Sequence, residues 1–146
     1  MAGKGTRGQQ VIQAKDFRPH QSEDSIQMSC VSWFRIAHPE LARLLHHSAN
    51  EGKRTTRIVH THAGTRVVCS GGARLKAMGM QTGFPDLFLA VPSRGMHGLF
   101  IEMKSETGRL EPSQREMLAL LSEQGYATAV CRSLDDFQHV TDSYLQ

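Results

Sequence analysis

Three charged residues lie within two short apolar runs, where charged side chains are costly. Asp86 begins the run DLFLAV (residues 86–91), and Glu102 and Lys104 lie near the end of GLFIEMK (98–104). Glu102 and Lys104 are two residues apart, so on a strand they share one face. If the turn-forming residues 92–95 join the two runs as an antiparallel pair, Asp86 lies beside both. The spacing therefore predicts that two carboxylates and one ammonium converge.

Such a cluster is suited to the hydrolysis of a phosphodiester bond. Asp86 and Glu102 would supply the hard oxygen ligands that Mg²⁺ or Mn²⁺ prefers, and the Met103 carbonyl is a further candidate ligand. Lys104 would hold the attacking water or stabilise the transition state. Spacing alone leaves an ordinary solvated strand face equally open. The apolar neighbours favour the metal site, because a buried charged triplet needs a reason.

The elements that must position this cluster follow from periodicity. Ser22 can cap a helix that ends before Pro39, Ser113 with Glu116 predicts a helix that Gly125 ends, and Ser133 begins a last helix. The apolar positions of the three helices are, in order, Ile26, Cys30, Val31, Phe34 and Ile36; Met117, Leu118, Leu120 and Leu121; and Phe137, Val140 and Leu145. Further strands are predicted at residues 57–59, 65–69 and 126–131, and a helical turn at 73–78. Residues 40–47 could form either a helix or a strand, because the segment is too short for periodicity to decide.

This order of elements predicts an α/β fold with a mixed central sheet and helices on both faces. We expect one domain over residues 21–146, preceded by a flexible basic arm over residues 1–20. The three cysteines, Cys30, Cys69 and Cys131, lack metal-ligand spacing and are expected to be reduced and buried. The sequence contains no apolar run of membrane-spanning length and no apolar signal core, which predicts a soluble intracellular protein.

The charge distribution suits a polyanionic partner. The net charge is +3 and the pI about 9.0, and Lys and Arg outnumber Asp and Glu 13 to 6 in residues 1–100. An unevenly charged solubilising surface is the alternative. The candidate contacts to a DNA backbone are Lys53, Arg54, Arg57, Arg66, Arg74 and Lys76. Aromatic residues are scarce among them, which favours recognition of backbone and shape over base stacking.

Two motifs carry a resemblance to a known family. Gly83-Phe84-Pro85-Asp86-Leu87 followed by Ile101-Glu102-Met103-Lys104 resembles the PD-(D/E)xK nuclease motif, and more narrowly that of the stand-alone VRR-NUC nucleases of phages and bacteria. The resemblance covers roughly residues 22–145. It also includes Asn50-Glu51-Gly52 with Arg54, Leu75 to Gly79, Gly108-Arg109-Leu110, Gln114, and Gly125-Tyr126.

The resemblance implies a restriction-endonuclease-like fold, dependence on Mg²⁺ or Mn²⁺, and cleavage of DNA that is often branched or flapped, by compact enzymes similar to Holliday-junction resolvases. It implies metal binding by Asp86 and Glu102 and catalysis by Lys104. Gln114 matches the glutamine on the following helix. Glu23 matches a carboxylate of the first helix that reaches the metal in the family. Asp24 is adjacent, so the alignment does not decide which of the two occupies that position. A homodimer in the cytoplasm of a bacterium or phage-infected cell is expected.

The stretch from Thr55 to Gly72 departs from the family pattern, because it makes the distance between the Asn-Glu-Gly segment and the Leu-Lys segment longer than usual. It contains His60 and His62, for which a metal or general-base role is one reading. A surface hairpin whose Arg57 and Arg66 contact phosphate is favoured, since no third ligand has a recognisable spacing. His46, His47 and His97 receive no role.

Two rival functions remain. The first is a DNA-binding or assembly module without catalysis on the same fold. The second, a metal-dependent nucleotide hydrolase, ranks last because the sequence lacks a Gly-rich phosphate loop.

Overall fold

The computed structural model describes residues 21–48, 56–61, 64–69 and 72–146. In chain order the elements are α1 (Glu23–Ala37), a 3-10 helix (Ala42–Leu44), β1 (Leu45–His47), β2 (Thr56–Thr61), β3 (Gly64–Cys69), α2 (Gly72–Ala77), β4 (Leu87–Leu89), β5 (Leu99–Met103), α3 (Pro112–Glu123), β6 (Ala127–Cys131) and α4 (Leu134–Leu145). The predicted arm over residues 1–20 lies outside the described residues.

A four-stranded mixed sheet in the order β1-β4-β5-β6 carries the two motifs. Strands β4 and β5 are antiparallel, with Leu87 opposite Ile101, whereas β5 and β6 are parallel and joined through α3. The predicted strand pair is therefore confirmed, although both strands are shorter than their apolar runs. Residues 40–47, which the sequence did not assign to helix or strand, form a turn followed by the 3-10 helix and β1.

The predicted hairpin is also confirmed and forms a separate two-stranded sheet. Strands β2 and β3 are antiparallel, from Thr56 opposite Cys69 to Thr61 opposite Gly64. Arg57 lies opposite Val68, and Arg66 lies opposite Val59.

Helix α1 begins where its cap predicts and packs on one face of the sheet. The Ser22 hydroxyl accepts a hydrogen bond from the Ser25 N–H at 3.2 Å, which satisfies one of the free donors of the first turn. Phe34 is buried against Phe137 of α4, with ring centroids 6.3 Å apart. The prediction for Ile36 is wrong, because its side chain is 81% exposed. Ile36 lies about 200° around the helix from Phe34 and so faces away from the core.

Helix α3 starts earlier than predicted. Its first residue is Pro112, and Glu111 rather than Ser113 is the N-cap; the fixed φ of proline suits the first helical position. The Gln114 side-chain oxygen accepts a hydrogen bond from the Glu111 N–H at 2.9 Å. Leu118 is the buried residue of this helix, whereas Leu120 is 49% exposed. Helix α4 begins after Ser133, as predicted.

The sheet separates two apolar layers. Odd-numbered residues of β4 and β5, such as Leu89 and Ile101, belong to the core formed with α1 and α4. Even-numbered residues point to the opposite face, where Phe88 stacks on Phe100 with centroids 4.3 Å apart. A Gln114 contact to Glu102 places α3 on this second face. The α/β fold with helices on both faces is thus confirmed.

Two further observations bear on the predictions from composition. Burial raises the pKa of Cys30 to about 11 and that of Cys131 to about 12, so both remain thiols near neutral pH. In the described part of the chain, no helix combines the length and hydropathy that crossing a membrane requires.

Candidate active site

Asp86 is held from both of its neighbouring strands. Its carboxylate oxygen Oδ2 accepts a hydrogen bond from the Met103 N–H at 2.8 Å. Its main-chain carbonyl accepts one from the Ser48 N–H at 2.8 Å and lies 2.9 Å from the Nδ1 atom of His47. Burial raises the pKa of the Asp86 carboxyl, although the Met103 amide and the Lys104 charge oppose that shift. The side chain therefore projects from a rigid position at the start of β4.

Glu102 is the most deeply buried charged residue of the cluster, with 1% of its surface exposed. Oε1 accepts hydrogen bonds from Lys104 Nζ at 2.9 Å and from the side-chain amide of Gln114. Oε2 is buried and has no hydrogen-bond partner among the described residues. Burial raises the pKa of Glu102 to about 7, with the Asp86 charge adding to this and the hydrogen bond from Lys104 opposing it. One oxygen is thus fixed and the other is left unsatisfied.

Lys104 lies between two carboxylates. Its side chain is 10% exposed, and Nζ is 2.9 Å from Glu102 Oε1 and 3.9 Å from Glu23 Oε2. Burial alone would lower the pKa of Lys104, but the hydrogen bond and the charge of Glu102, with smaller effects of Glu23 and Asp86, raise it overall. The amine is therefore held as an ammonium, directly beside the buried acid.

Glu23 reaches this cluster from the first turn of α1. Its Oε1 accepts a hydrogen bond from the Ser105 N–H at 3.2 Å, and its side chain is 46% exposed. It approaches on the Lys104 side of the cluster. Within residues 21–48, 56–61, 64–69 and 72–146, no three His, Cys, Asp or Glu side chains are grouped as a metal site of side chains alone would need. The convergent acids are thus the pair Asp86 and Glu102, with Glu23 at the rim.

Met103 contributes main-chain groups rather than its side chain, which is buried in the core at 1% exposure. Its N–H points to Asp86. Because the N–H and C=O of one strand residue face the same neighbouring strand, the Met103 carbonyl also faces the Asp86 side. The candidate carbonyl ligand therefore faces the strand edge at which Asp86 lies.

The loop before Asp86 packs tightly on the start of α3. Gly83 has a φ of +80°, and a Cβ there would lie 2.5 Å from the main-chain oxygen of Ser113 and 2.9 Å from the Gln114 nitrogen. Only glycine adopts this conformation and this approach without strain. Since Gln114 also contacts Glu102, one packing arrangement positions both the Asp86 loop and the glutamine.

The predicted DNA-contact residues differ in what the structure describes of them. Arg74 and Lys76 are exposed on α2. Arg57 and Arg66 lie on β2 and β3, and His60 lies on β2 as well. Lys53, Arg54 and His62, together with the Asn50 to Gly52 segment, lie outside the described residues. A separate hairpin and an exposed short helix thus carry the basic residues that can be located.

Sequence reasoning missed His47. It lies at the end of β1, its Nδ1 is 2.9 Å from the Asp86 carbonyl and also 2.9 Å from Gln27 Nε2, and it joins α1 to the start of β4. The observation that would have identified it is the pairing of His47 with Leu87, which places His47 beside Asp86. The sequence did not provide it, because residues 40–47 could not be assigned to a strand.

The mixed sheet brings together Asp86, directly before β4, and Glu102 and Lys104, at the end of β5, which is the arrangement expected of a PD-(D/E)xK nuclease. The sequence matches the family described as "VRR-NUC domain" over residues 21–135. The chain therefore belongs to the VRR-NUC domain family, a family of nuclease-type proteins that act on DNA.

The comparison with solved structures agrees with this assignment. The chain is similar to a solved structure described as "VRR_NUC domain protein", with 25% sequence identity, a TM-score of 0.67, and coverage of 86% of this chain and 89% of that one. A comparison with curated proteins gives no significant match.

Proposed function

We propose that this protein is a DNA endonuclease that depends on a divalent metal ion, Mg²⁺ or Mn²⁺, bound by Asp86 and Glu102. One observation carries the proposal: Glu102 Oε2 is buried without a hydrogen-bond partner among the described residues, on the sheet face that Asp86 shares. A buried carboxylate oxygen that lacks a donor is costly. Coordination of a cation would remove that cost.

The donor set fits a small, hard cation. Two carboxylates and a main-chain carbonyl are oxygen ligands of the kind that Mg²⁺ takes, and Mg²⁺ usually keeps several waters in place of a complete protein cage. The grouping of only two acids is therefore compatible with the metal. Glu23, at the rim, is the candidate for a further ligand, directly or through water.

The residues of the site would divide the chemistry between them. A divalent cation supplies activation of the water nucleophile and neutralisation of the charge that develops on the phosphate. Lys104, held as an ammonium, can donate a hydrogen bond to the attacking water or to the reacting phosphate. Gln114 keeps Glu102 Oε1 turned towards Lys104, which leaves Oε2 directed away from it. The exposed Arg74 and Lys76 would bind neighbouring phosphates.

Structure-selective cleavage and a two-fold dimer form the finer part of the proposal. The selectivity rests on the family resemblance, which implies DNA that is often branched or flapped, and the dimer rests on the two-fold symmetry expected of a small enzyme that cuts two strands. A panel of linear, flapped, forked and four-way DNA, incubated with the protein and Mg²⁺ or Mn²⁺, tests the selectivity. Light scattering tests the dimer, and a monomer at the concentrations used for cleavage would contradict that part.

Replacement of one acid at a time tests the central proposal. Asp86→Asn and Glu102→Gln keep the side-chain shape and remove the charge, and we expect each to reduce metal-dependent cleavage at least about a hundredfold. Asp135→Asn, on the exposed first turn of α4, is the matched control and should cleave like the wild type. Undiminished cleavage by Asp86→Asn would refute the proposed site. Specific DNA binding without any cleavage by the wild type would favour the non-catalytic module instead.

A further inference from the structure

Arg132 is the first residue after β6, and the hydrogen bonds of its guanidinium go to a single turn of the chain. Nη1 donates hydrogen bonds to the main-chain oxygens of Ser105 and Gly108, at 3.0 and 2.5 Å. The main-chain N–H of Arg132 donates a hydrogen bond to Asp136 Oδ2 at 2.9 Å, which fixes the backbone from which the side chain extends. In the described part of the structure its guanidinium has no carboxylate within salt-bridge distance. The arginine therefore binds main-chain atoms of the turn and does not form an ion pair with the described residues.

The Ser105–Gly108 turn follows Lys104 directly and also contacts Glu23. The Gly108 N–H donates to the Ser105 oxygen at 3.0 Å and closes the turn. The Ser105 N–H donates to Glu23 Oε1 at 3.2 Å. A Cβ on Gly108 would lie 2.9 Å from the Ser105 hydroxyl and 3.1 Å from Glu23 Oε1. The turn is thus in close contact with both Arg132 and Glu23.

This arrangement links an arginine outside the acidic cluster to the carboxylate of Glu23 at its rim. We propose that Arg132 is a positioning residue that holds the Ser105–Gly108 turn, so that the Ser105 N–H keeps Glu23 beside the metal-binding acids. The inference rests on the proposed function, because its consequence is a higher affinity for the cation. Glu23 already acts electrostatically on both Asp86 and Glu102. A third negative charge fixed there attracts a cation whether it ligates directly or through water.

The alternative is that Arg132 only stabilises the fold. In that case its loss would lower the melting temperature, and any change in metal affinity would not depend on Glu23. A double-mutant cycle separates the two roles, because groups that act through one another show non-additive effects.

The experiment is a calorimetric titration of the full chain with Mn²⁺, using Arg132→Met, Glu23→Gln and the double variant. We expect each single variant to bind Mn²⁺ on the order of tenfold more weakly than the wild type. The double variant should bind no more weakly than Glu23→Gln alone. Arg43→Met, at an exposed arginine whose side chain makes no hydrogen bond or ion pair with the described residues, is the control and should leave the affinity unchanged.

A second measurement, hydrogen exchange at the Ser105 amide, follows the turn itself. We expect exchange to be faster in Arg132→Met and unchanged in Arg43→Met. If Arg132→Met does not fold, Arg132→Lys, which retains one cationic donor, takes its place with a smaller loss of the same kind.

Wild-type affinity in the arginine variant, or an equal loss in the presence and absence of Glu23, would overturn the inference. Either result would leave the proposed function intact, since that is tested separately by the Mn²⁺ binding and cleavage of the wild type and of the Asp86 and Glu102 variants.

Discussion

The side-chain amide of Gln114 donates a hydrogen bond to Oε1 of Glu102, joining the first turn of α3 to the end of β5. The same glutamine accepts from the Glu111 N–H. It therefore orients a candidate metal ligand and caps a helix with one side chain. Partners of this kind, one step removed from a metal, commonly affect affinity as strongly as some ligands do.

Removal of the Gln114 amide should consequently weaken metal binding. In Gln114→Ala, Glu102 loses one of the two donors that fix Oε1, and we expect Mn²⁺ affinity to fall by about tenfold or more. Loss of the cap should also cost about 1 kcal/mol of stability. Calorimetry and chemical denaturation measure the two effects. Gln124→Ala, on the exposed end of the same helix, is the control, and an equal affinity in the two variants would contradict the proposed orienting role.

Lys104 should be separable from the metal ligands. In Lys104→Met the carboxylates remain, so we expect Mn²⁺ still to bind while cleavage falls at least about a hundredfold. The lost ion pair with Glu102 should lower the free energy of unfolding by about 2 kcal/mol. Parallel binding and cleavage assays test this separation. Loss of Mn²⁺ binding together with cleavage, in a folded variant, would assign Lys104 a structural role instead.

Gly83 should tolerate no side chain. Gly83→Ala combines a positive φ with a Cβ 2.5 Å from main-chain atoms of Ser113, and we expect a destabilisation of more than about 2 kcal/mol. Gly95 is a matched control, since its φ is +79° and a Cβ there meets no atom within 4 Å. Gly95→Ala should cost only the conformational strain, about 1 kcal/mol. Equal unfolding free energies for the two variants would contradict the close approach of the Asp86 loop to α3.

The stability of the metal-free protein should decrease with pH through the Glu102 carboxyl. Its pKa rises from 4.5 to about 7 in the folded chain, so between these values the folded state binds a proton that the unfolded state releases. The folded state is thus favoured below 4.5 and loses this advantage as the pH rises towards 7.

Glu102→Gln should abolish that dependence. Melting curves recorded with a chelator from pH 4.5 to 7.5 should show the wild type losing stability relative to the variant. Glu123→Gln, an exposed acid at the end of α3, is the control and should follow the wild type. A constant difference between wild type and Glu102→Gln across this range would show that Glu102 titrates normally.

Local signals in the sequence were sufficient for the part of the fold that carries the motifs. The two short apolar runs and the turn formers between them predicted β4 and β5, and hence the proximity of Asp86 and Glu102, because a hairpin register is a local property. Ser22 and Ser133 predicted two helix starts, because caps are local as well.

Long-range contacts account for what the sequence did not provide. The three residues of β1 form a strand because they pair with β4, so their pattern alone was ambiguous between helix and strand. His47 and Arg132 were missed for the same reason, since each acts on main-chain atoms far away in sequence. The predicted start of α3 was wrong because Ser113 was expected to be the N-cap. The N-cap is instead Glu111, whose N–H donates a hydrogen bond to the side chain of Gln114.

Titration of the metal-free protein with Mn²⁺ tests the central claim most directly, because it requires neither a known DNA substrate nor turnover. We predict saturable binding by the wild type, and affinities at least about tenfold lower for both Asp86→Asn and Glu102→Gln. Folded variants that bind Mn²⁺ as tightly as the wild type would contradict a cation shared by these two acids.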